Sequence, residues 1–530
     1  MTRDPSSPDP RGVAVVDTSS SSIATIIPPY DVDDAILSTR HFRYTYFFFV
    51  YDSASDIFHV VHNVPSCDYG CARVHRLAHS LSYALRVNFP KRILRTPDGS
   101  NDLVFMIGCG DAPRVYARCL GSTDPCDSSA MPPVLQFGSI FRDHFRNMIA
   151  MPLPVRPHMP CLDEWQENRQ TGGAICSDLL PLVVGQHPRP TALTTGPRGG
   201  LPFGEELGII PSYGDDLYWD ALMPQIIWRG TDFQYLHTMY PNMRPPTYRL
   251  DIEPREAELG GGGFANEYER RRWAIQKLWE MGDDLLLPRW RGVLLTSEAE
   301  LEAAAAMEMQ RDGNGGGNDV LLPWVNIKFA NVNVGGVKTP ADQNEEYLTL
   351  QGLGIAAIGE YVSMAEQAKF KYHIDLGGGG GTTWTGTIEK LAMPGLLFHH
   401  VTPTKDWFHD LLVPWEHYVP VAADLSDLRR KYEWAESHPV EARQIAENGT
   451  RFARWMGSLE GLSRLYEEFM VTPLRNVILA YRPMPPKDRQ GLARVGKSVL
   501  DVILESGNGS FKVVSRCTGQ KGIHCKPELG

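Results

Sequence analysis

The sequence predicts an α/β protein built from two domains, and three observations carry that expectation. Its 530 residues exceed what one hydrophobic core sustains, since single cores stop growing at about 250–300 residues. Apolar, β-branched runs alternate with helical patterns through residues 221–480, as parallel strands joined by crossover helices do. Residues 369–400 (KFKYHIDLGGGGGTTWTGTIEKLAMPGLLFHH) compress that alternation into one strand, glycine loop, helix and strand. Hydrophobic residues at 42% and charged residues at 22% are ordinary globular values, which excludes disordered, collagen-like and coiled-coil classes. Lys+Arg at 52 against Asp+Glu at 63 leaves a net charge of −11, so no nucleic-acid partner is expected. No apolar run reaches the roughly 18 residues of a membrane-spanning helix. The first 17 residues hold acids and prolines without an apolar stretch, so no signal peptide is expected.

The elements follow in order. Residues 1–39 are rich in Ser, Pro and Asp and read as a flexible lead-in. Residues 41–51 (HFRYTYFFFVY) are an aromatic strand, and residues 71–87 repeat Val74, Leu77, Leu81 and Leu85 at helical spacing. Residues 103–107 form a strand running into Gly108-Cys109-Gly110-Asp111, and residues 134–137 form another. A Pro- and Gly-rich connection over 152–213 closes a first domain at 40–220. Residues 224–230 (PQIIWRG) open a second domain at 221–435, with strands at 325–329, 372–376, 395–399 and 417–421. A helix is expected over 267–281; the Ala/Glu helix at 298–309 and the Gly/Asn loop at 311–319 read as an insertion. Residues 436–484 are helical, with Ser437 as cap and Pro439 in the first turn. Residues 485–530 are a tail.

Of nine cysteines, Cys67, Cys71, Cys109, Cys119, Cys126, Cys161 and Cys176 lie in the first third, and Cys517 and Cys525 near the end. Two readings stand: buried free thiols, or a disulfide-bearing first domain to which the end of the chain returns. Cys67, Cys71, His75 and His79 recur every fourth residue. On one helix they would spread over about 18 Å, too far for one tetrahedral ion. Asn448-Gly449-Thr450 and Asn508-Gly509-Ser510 fit the N-glycosylation pattern.

Three segments carry chemistry. Gly377–Gly381 sits between a strand and a helix, where a glycine backbone can approach a diphosphate closely and Thr382, Thr383, Thr385 and Thr387 add donors. Its competing reading is a flexible linker. Arg229 ends an apolar strand at its carboxyl end, suited to bidentate phosphate contact or to an interdomain ion pair. Asp111, flanked by Gly110 and Ala112, is placed to be a general base or to cap a turn. His399, His400, His409 and His417 are irregularly spaced and read as strand-end and surface histidines. Asp31-Val32-Asp33 has the spacing of a metal-binding DxD motif but falls in the lead-in. Neither a GxSxG elbow nor a P-loop occurs.

Together these residues resemble glycosyltransferase family 90, which holds the capsule-associated-protein-type and Rumi-like protein O-glucosyltransferases. The resemblance runs from about residue 103 to 480. It includes the strand ending in Asp111 with Pro113, Trp228-Arg229-Gly230, Lys369-Phe370-Lys371-Tyr372 with Asp375-Leu376-Gly377, and Pro414-Trp415-Glu416-His417-Tyr418-Val419-Pro420-Val421 with Asp424-Leu425-Ser426-Asp427-Leu428. It implies a GT-B architecture of two Rossmann-like domains facing a cleft, with C-terminal helices crossing back. It also implies inverting transfer of a sugar, glucose or xylose, from a UDP-sugar to a hydroxyl of a protein or glycan, without a required metal, in the endoplasmic reticulum or Golgi lumen. Asp111 would be the base. Arg229, Gly230, Lys371, Asp375, Gly380, Gly381, Thr382, Thr383, Thr385 and Thr387 would bind the donor. One departure stands out: the family's Ser-x-Arg at the start of the crossover helix is here Thr385-Gly386-Thr387. A diphosphate arginine is missing, and Lys371, Lys390 or Arg289 is left to replace it.

Overall fold

The computed structural model describes residues 29–39, 47–62, 78, 81–108, 133–136, 138–140, 148–150, 217–231, 263–280, 287–312, 321–331, 350–377, 386–401, 404–406, 408–519 and 524–527. Asp111, the loop residues Gly380, Gly381, Thr382, Thr383 and Thr385, the Cys67–His79 pattern and the connection at 152–213 lie outside the described residues. The chain is α/β, with two principal sheets and a two-stranded one.

The first sheet is mixed rather than the parallel sheet that a Rossmann-like domain implies, in the order β14-β13-β2-β1-β3-β4-β6. Strands β1 (Phe47–Asp52) and β2 (Ile57–His62) form an antiparallel hairpin in which Phe47 faces His62 and Asp52 faces Ile57. Only residues 53–56 separate them, and a parallel crossover needs a dozen residues or more. Asp56 turns the chain at φ 59°. β1 also pairs antiparallel with β3 (Leu103–Gly108), which continues in parallel to β4 (Val134–Gln136) and β6 (Met148–Ala150). β1 is buried along its whole length, so it reads as a continuous aromatic run rather than an alternating one. Phe49 lies 5.4 Å from Phe58 and 5.0 Å from Phe105, ring centre to ring centre. Of the helical stripe after it, Leu81 and Leu85 are fully buried on α2 (residues 81–88).

Segments from both sides of the chain meet at this sheet, one packing on it and one extending it. In the expected lead-in, Asp31 caps α1 (Val32–Ser38), accepting from the backbone of Asp33 and Asp34. Asp33 and Asp34 pair with Arg494 and Arg489, so the DxD spacing is a helix cap tied to the other terminus. Tyr30 donates its hydroxyl to Val104 O at 2.9 Å. The expected tail holds β13 (Lys512–Thr518), which pairs antiparallel with β2 and with β14 (His524–Pro527). A capped helix over Val499–Ser506 precedes it. Cys517 on β13 is 1% exposed and disulfide-bonded, so the nine cysteines are not all free thiols. Asn508-Gly509-Ser510 forms the exposed turn before β13. Asn448 instead lies inside a helix whose Thr450 donates to Met393 O at 2.9 Å.

The second sheet is parallel throughout, in the order β12-β10-β9-β7-β8: β7 (Met223–Thr231), β8 (Val325–Asn331), β9 (Phe370–Asp375), β10 (Leu396–Val401) and β12 (Val419–Ala422). α3 (Glu267–Glu280) packs against α4 (Pro288–Asp312), which lies along β8. α4 corrects the insertion reading: the Ala/Glu stretch is the outer half of a 25-residue helix begun by Pro288. Its inner half belongs to the core, where Thr296 Oγ1 accepts from Ile327 N at 2.8 Å. The short α5 (Met364–Gln367) precedes β9, and α6 (Gly386–Leu391) is the crossover between β9 and β10. The small strands β5 (Gly138–Ile140) and β11 (Thr404–Asp406) pair with each other.

α7 (Leu428–Ser437) and α8 (Pro439–Met456) follow β12. Pro439 opens α8 as expected, but the cap position is His438; Ser437 ends α7, donating its hydroxyl to Glu433 O at 2.8 Å. α9 (Leu459–Tyr466), a π turn at Glu467–Val471 and α10 (Thr472–Ala480) make one continuous rod packed into the first sheet's hydrophobic core. Among the described residues no helix is long and apolar enough to cross a membrane.

Candidate functional site

The carboxyl end of the parallel sheet gathers an unusual set of buried polar groups. Alternation along β9 sends Tyr372 and Ile374 into the second core and turns His373 and Asp375 to the other face. β10 lies in parallel register beside it, with His399 directly opposite Asp375. Side chains opposite each other in register share a face, so the two polar groups meet. His399 Nδ1 is 2.7 Å from Asp375 Oδ2, and Thr387 Oγ1 on α6 donates to the same oxygen at 2.6 Å. Asp375 is 1% exposed. Burial pushes its carboxyl up, but His399, His400 and the Thr387 hydroxyl outweigh it and hold the group well below the usual carboxylate range. It is therefore an ionised carboxylate in the interior, with Oδ1 lacking a hydrogen-bond partner. Thr387 is fully buried as well. Asp375 and Thr387 thus pin the end of β9 to the start of α6 and set where the glycine crossover leaves and re-enters.

Two cations stand close to this carboxylate. Arg289, near the start of α4, is 7% exposed and donates to Thr231 O at 2.6 Å and Leu376 O at 2.8 Å, bridging the carboxyl ends of β7 and β9. Its guanidinium lies 5.0 Å over the Trp228 ring. Lys390 is also 7% exposed, and its Nζ reaches back along α6 to Gly386 O at 3.4 Å. Burial lowers its proton affinity, against the opposing pull of Asp375 and Glu389. His373 has neither ring nitrogen hydrogen-bonded; burial, with Lys390 nearby, holds it neutral down to about 3. Gly395 is obligatory above it, because a Cβ there would lie 2.6 Å from His373 Nε2.

Trp228-Arg229-Gly230 acquires a local explanation. Gly230 leaves room for the indole of Trp228, whose Cζ2 would stand 2.3 Å from a Cβ at 230. The ring is thereby held between Gly230 and Arg289. Arg229, on the opposite face of β7, donates to Trp228 O, Asn326 O and Glu360 O at 2.9, 2.9 and 3.1 Å. It braces β7, β8 and the segment after residue 358. Lys371 is not brought to this site. It lies at the amino end of β9, four residues or about 13 Å of strand from Asp375, beside Glu436 at 3.6 Å and the Trp219 ring at 5.1 Å.

The segment 414–428 frames the site from β12. Trp415 adopts φ 64°, its N–H donates to Tyr418 O at 2.7 Å, and Lys431 Nζ stands 4.5 Å over its ring. That turn delivers Tyr418 to His399 at 5.0 Å between ring centres, with His409 4.9 Å away on another side. Asp427 closes the turn by accepting from Ala422 N at 2.9 Å. His399, His400 and His409 are therefore a cluster rather than scattered strand-end histidines. Their irregular spacing in sequence is resolved by the β9–β10 register, and nothing in the sequence alone carries that register. Among the described residues no three His, Cys, Asp or Glu groups converge as metal ligands.

The model of the family described as Glycosyl transferase family 90 matches residues 336–469, the span that contains β9, α6, β10 and the Trp415 turn. Residues 336–469 thus match a family 90 glycosyl transferase domain. Protein O-glucosyltransferase 2 of Danio rerio is 37% identical over 101 residues, 18% of this chain and 19% of that protein. Protein O-glucosyltransferase 3 of Homo sapiens is 33% identical over 92 residues, 16% of this chain and 17% of that protein. Uncharacterized protein 179R of Invertebrate iridescent virus 6 is 31% identical over 136 residues, 24% and 11% of the two chains. The chain thus spans less than a fifth of the length of these relatives. In the family 90 domain, the buried carboxylate of Asp375 is the hub on which strand, crossover helix and histidine cluster converge.

Proposed function

We propose that this chain is an inverting glycosyltransferase that moves a sugar, glucose or xylose, from a UDP-sugar to a hydroxyl of a protein or glycan. The observation that carries the reading is the family 90 match over residues 336–469, coincident with a glycine crossover that opens at the carboxyl ends of parallel strands. Ligands of open α/β sheets bind at that edge. Relatives named protein O-glucosyltransferase favour glucose as the sugar and a protein as the acceptor. The scaffold is a GT-B pair of Rossmann-like domains.

In the proposed reaction Asp111 removes the proton from the acceptor hydroxyl. The freed oxygen attacks the anomeric carbon, and the bond to UDP breaks on the opposite face, inverting the centre. Proton removal of this kind contributes about 10²–10⁴-fold. Negative charge then builds on the departing diphosphate, where Arg229, through guanidinium N–H groups beyond those given to Trp228, Asn326 and Glu360, and the amides of the glycine crossover are assigned to receive it. α6 has only six residues, so fixed cations rather than a helix dipole are needed there. The chemistry requires no metal. The disulfide at Cys517 supports an oxidising compartment, the lumen of the endoplasmic reticulum or Golgi, because cytosolic thiols are kept reduced.

A screen of sugar nucleotides measuring UDP release tests the reading, with UDP-glucose expected to react. Asp111→Asn should bind UDP as the wild type does and release none from the donor. Undiminished transfer by that variant sinks the role of Asp111. UDP binding without turnover of any sugar nucleotide would leave a binding protein in place of an enzyme.

A further inference from the structure

Thr387 occupies the position of the family's second diphosphate arginine, and its hydroxyl is turned to Asp375. The sequence left three cations to replace that charge, and their placements separate them. Lys371 is at the amino end of β9, beside Glu436. Arg289 is committed to the carbonyls of Thr231 and Leu376 and to the face of Trp228. Lys390 is different. It lies three residues after Thr387, one turn along the same helix face, and its side chain runs back toward the helix start as helical side chains do. That path brings its ammonium back to Gly386, the first residue of α6. Its one hydrogen bond among the described residues, to Gly386 O, is long at 3.4 Å. Among the described residues no carboxylate lies within 4 Å of it, although it is nine-tenths buried. A buried ammonium with no carboxylate in contact, balanced only by the more distant charges of Asp375 and Glu389, is a costly arrangement, and such arrangements persist where a ligand completes them.

We propose that Lys390 is the second cation of the donor diphosphate site, an ammonium supplied from inside α6 in place of the missing guanidinium. The proposal rests on the UDP-sugar reading above and adds to it the residue that neutralises the phosphate. An ammonium is a point charge rather than a planar fork. The site therefore recognises the charge of a nucleoside diphosphate with less geometric demand than a paired arginine would impose.

Calorimetric titration of the full chain with UDP and with uridine, which lacks the diphosphate, tests this in the wild type, Lys390→Met and Lys390→Arg. Lys390→Met is expected to lose roughly 10- to 100-fold in UDP affinity, the span of one charge-assisted hydrogen bond, while its uridine affinity stays that of the wild type. Lys390→Arg should keep most of the UDP affinity. Lys390→Met should melt at the same temperature or higher, because an apolar side chain of similar volume relieves the buried charge. A lysine that merely supported the fold would lower the melting temperature of the Met variant and weaken UDP and uridine together, and that result overturns the proposal. Unchanged UDP binding by Lys390→Met overturns it alone. Absence of UDP binding by the wild type overturns the UDP-sugar reading with it.

Discussion

The two faces of the β9–β10 pair are built on opposite principles. One face presents Tyr372, Ile374, Leu396 and Phe398 to the second core, every one essentially inaccessible to water. The other presents His373, Asp375 and His399 to α6 beside Leu397, buried but largely polar, with Asp375 Oδ1 and both His373 nitrogens lacking hydrogen-bond partners. Apolar contacts stabilise in proportion to the area they remove from water. Buried polar groups left partly unpaired do the reverse. The same two strands therefore carry a stabilising face and a destabilised one, and the destabilised face is the one that meets α6. Stability and binding should separate along this line when the faces are altered one at a time.

The largest effects on folding are expected from breaking each face at its centre. Phe398→Ala empties a fully buried site and should lower unfolding free energy by about 3–5 kcal/mol, read by urea titration, with UDP affinity of the folded fraction unchanged. Asp375→Ala should cost a similar ~3–5 kcal/mol, because it leaves the buried positive charges around it uncompensated, and it should also abolish UDP binding as α6 loses its anchor. If Asp375→Ala folds and binds UDP normally, the hub role assigned to Asp375 is wrong. Thr387→Val keeps the shape and deletes one hydrogen bond to a charged group, for about 1.5–3 kcal/mol. Gly230→Ala drives a methyl group into the Trp228 ring and should cost about 1–3 kcal/mol, measured by thermal melting.

At neutral pH a further effect is hidden and shows only as a slope. Burial holds His373 and His400 at about 3, below their ordinary 6.5. Between those values the unfolded chain takes up protons that the folded chain refuses, so stability falls as pH drops from 6.5 to 3. Each histidine contributes about 1.4 kcal/mol per pH unit in that window. Asp375 acts on a lower range: its depressed carboxyl adds stability that is full above about pH 4 and is lost only as pH falls toward its folded value. His373→Leu should therefore flatten the curve between pH 3 and 6.5 and leave the steeper acid limb in place. An unaltered slope in denaturation across that window would show His373 to be accessible to protons.

How much of this was legible beforehand depended on how local each feature is. The β9–α6–β10 unit could be read because glycine punctuation, a strand run and a helix pattern occur within 32 residues, 369–400. The hairpin of β1 and β2 was half legible: residues 57–62 (IFHVVH) are a β-branched and aromatic run as well, but without a glycine or Asn-Gly turn before them no tight-turn signal pairs them with β1. The strand β13 was illegible, because its place beside β2 is a pairing across about 450 residues and an exposed-looking tail carries no signal of it. His399 was set aside for the same reason, since its role depends on which residue of β9 stands opposite. Lys390 could be named as a candidate cation, but not chosen over Lys371 and Arg289.

Sequence alone determined the α/β class, the glycine crossover, the family 90 resemblance and the loss of an arginine at Thr387, because each is written in neighbouring residues. Tertiary structure decided the rest. It set the register that joins Asp375 to His399, extended the first sheet with β13 and β14, and assigned the three cations to opposite ends of one strand or to carbonyls. The physical reason is the same in each case. Burial and counter-charge belong to a place in space, and distant segments of the chain together make that place.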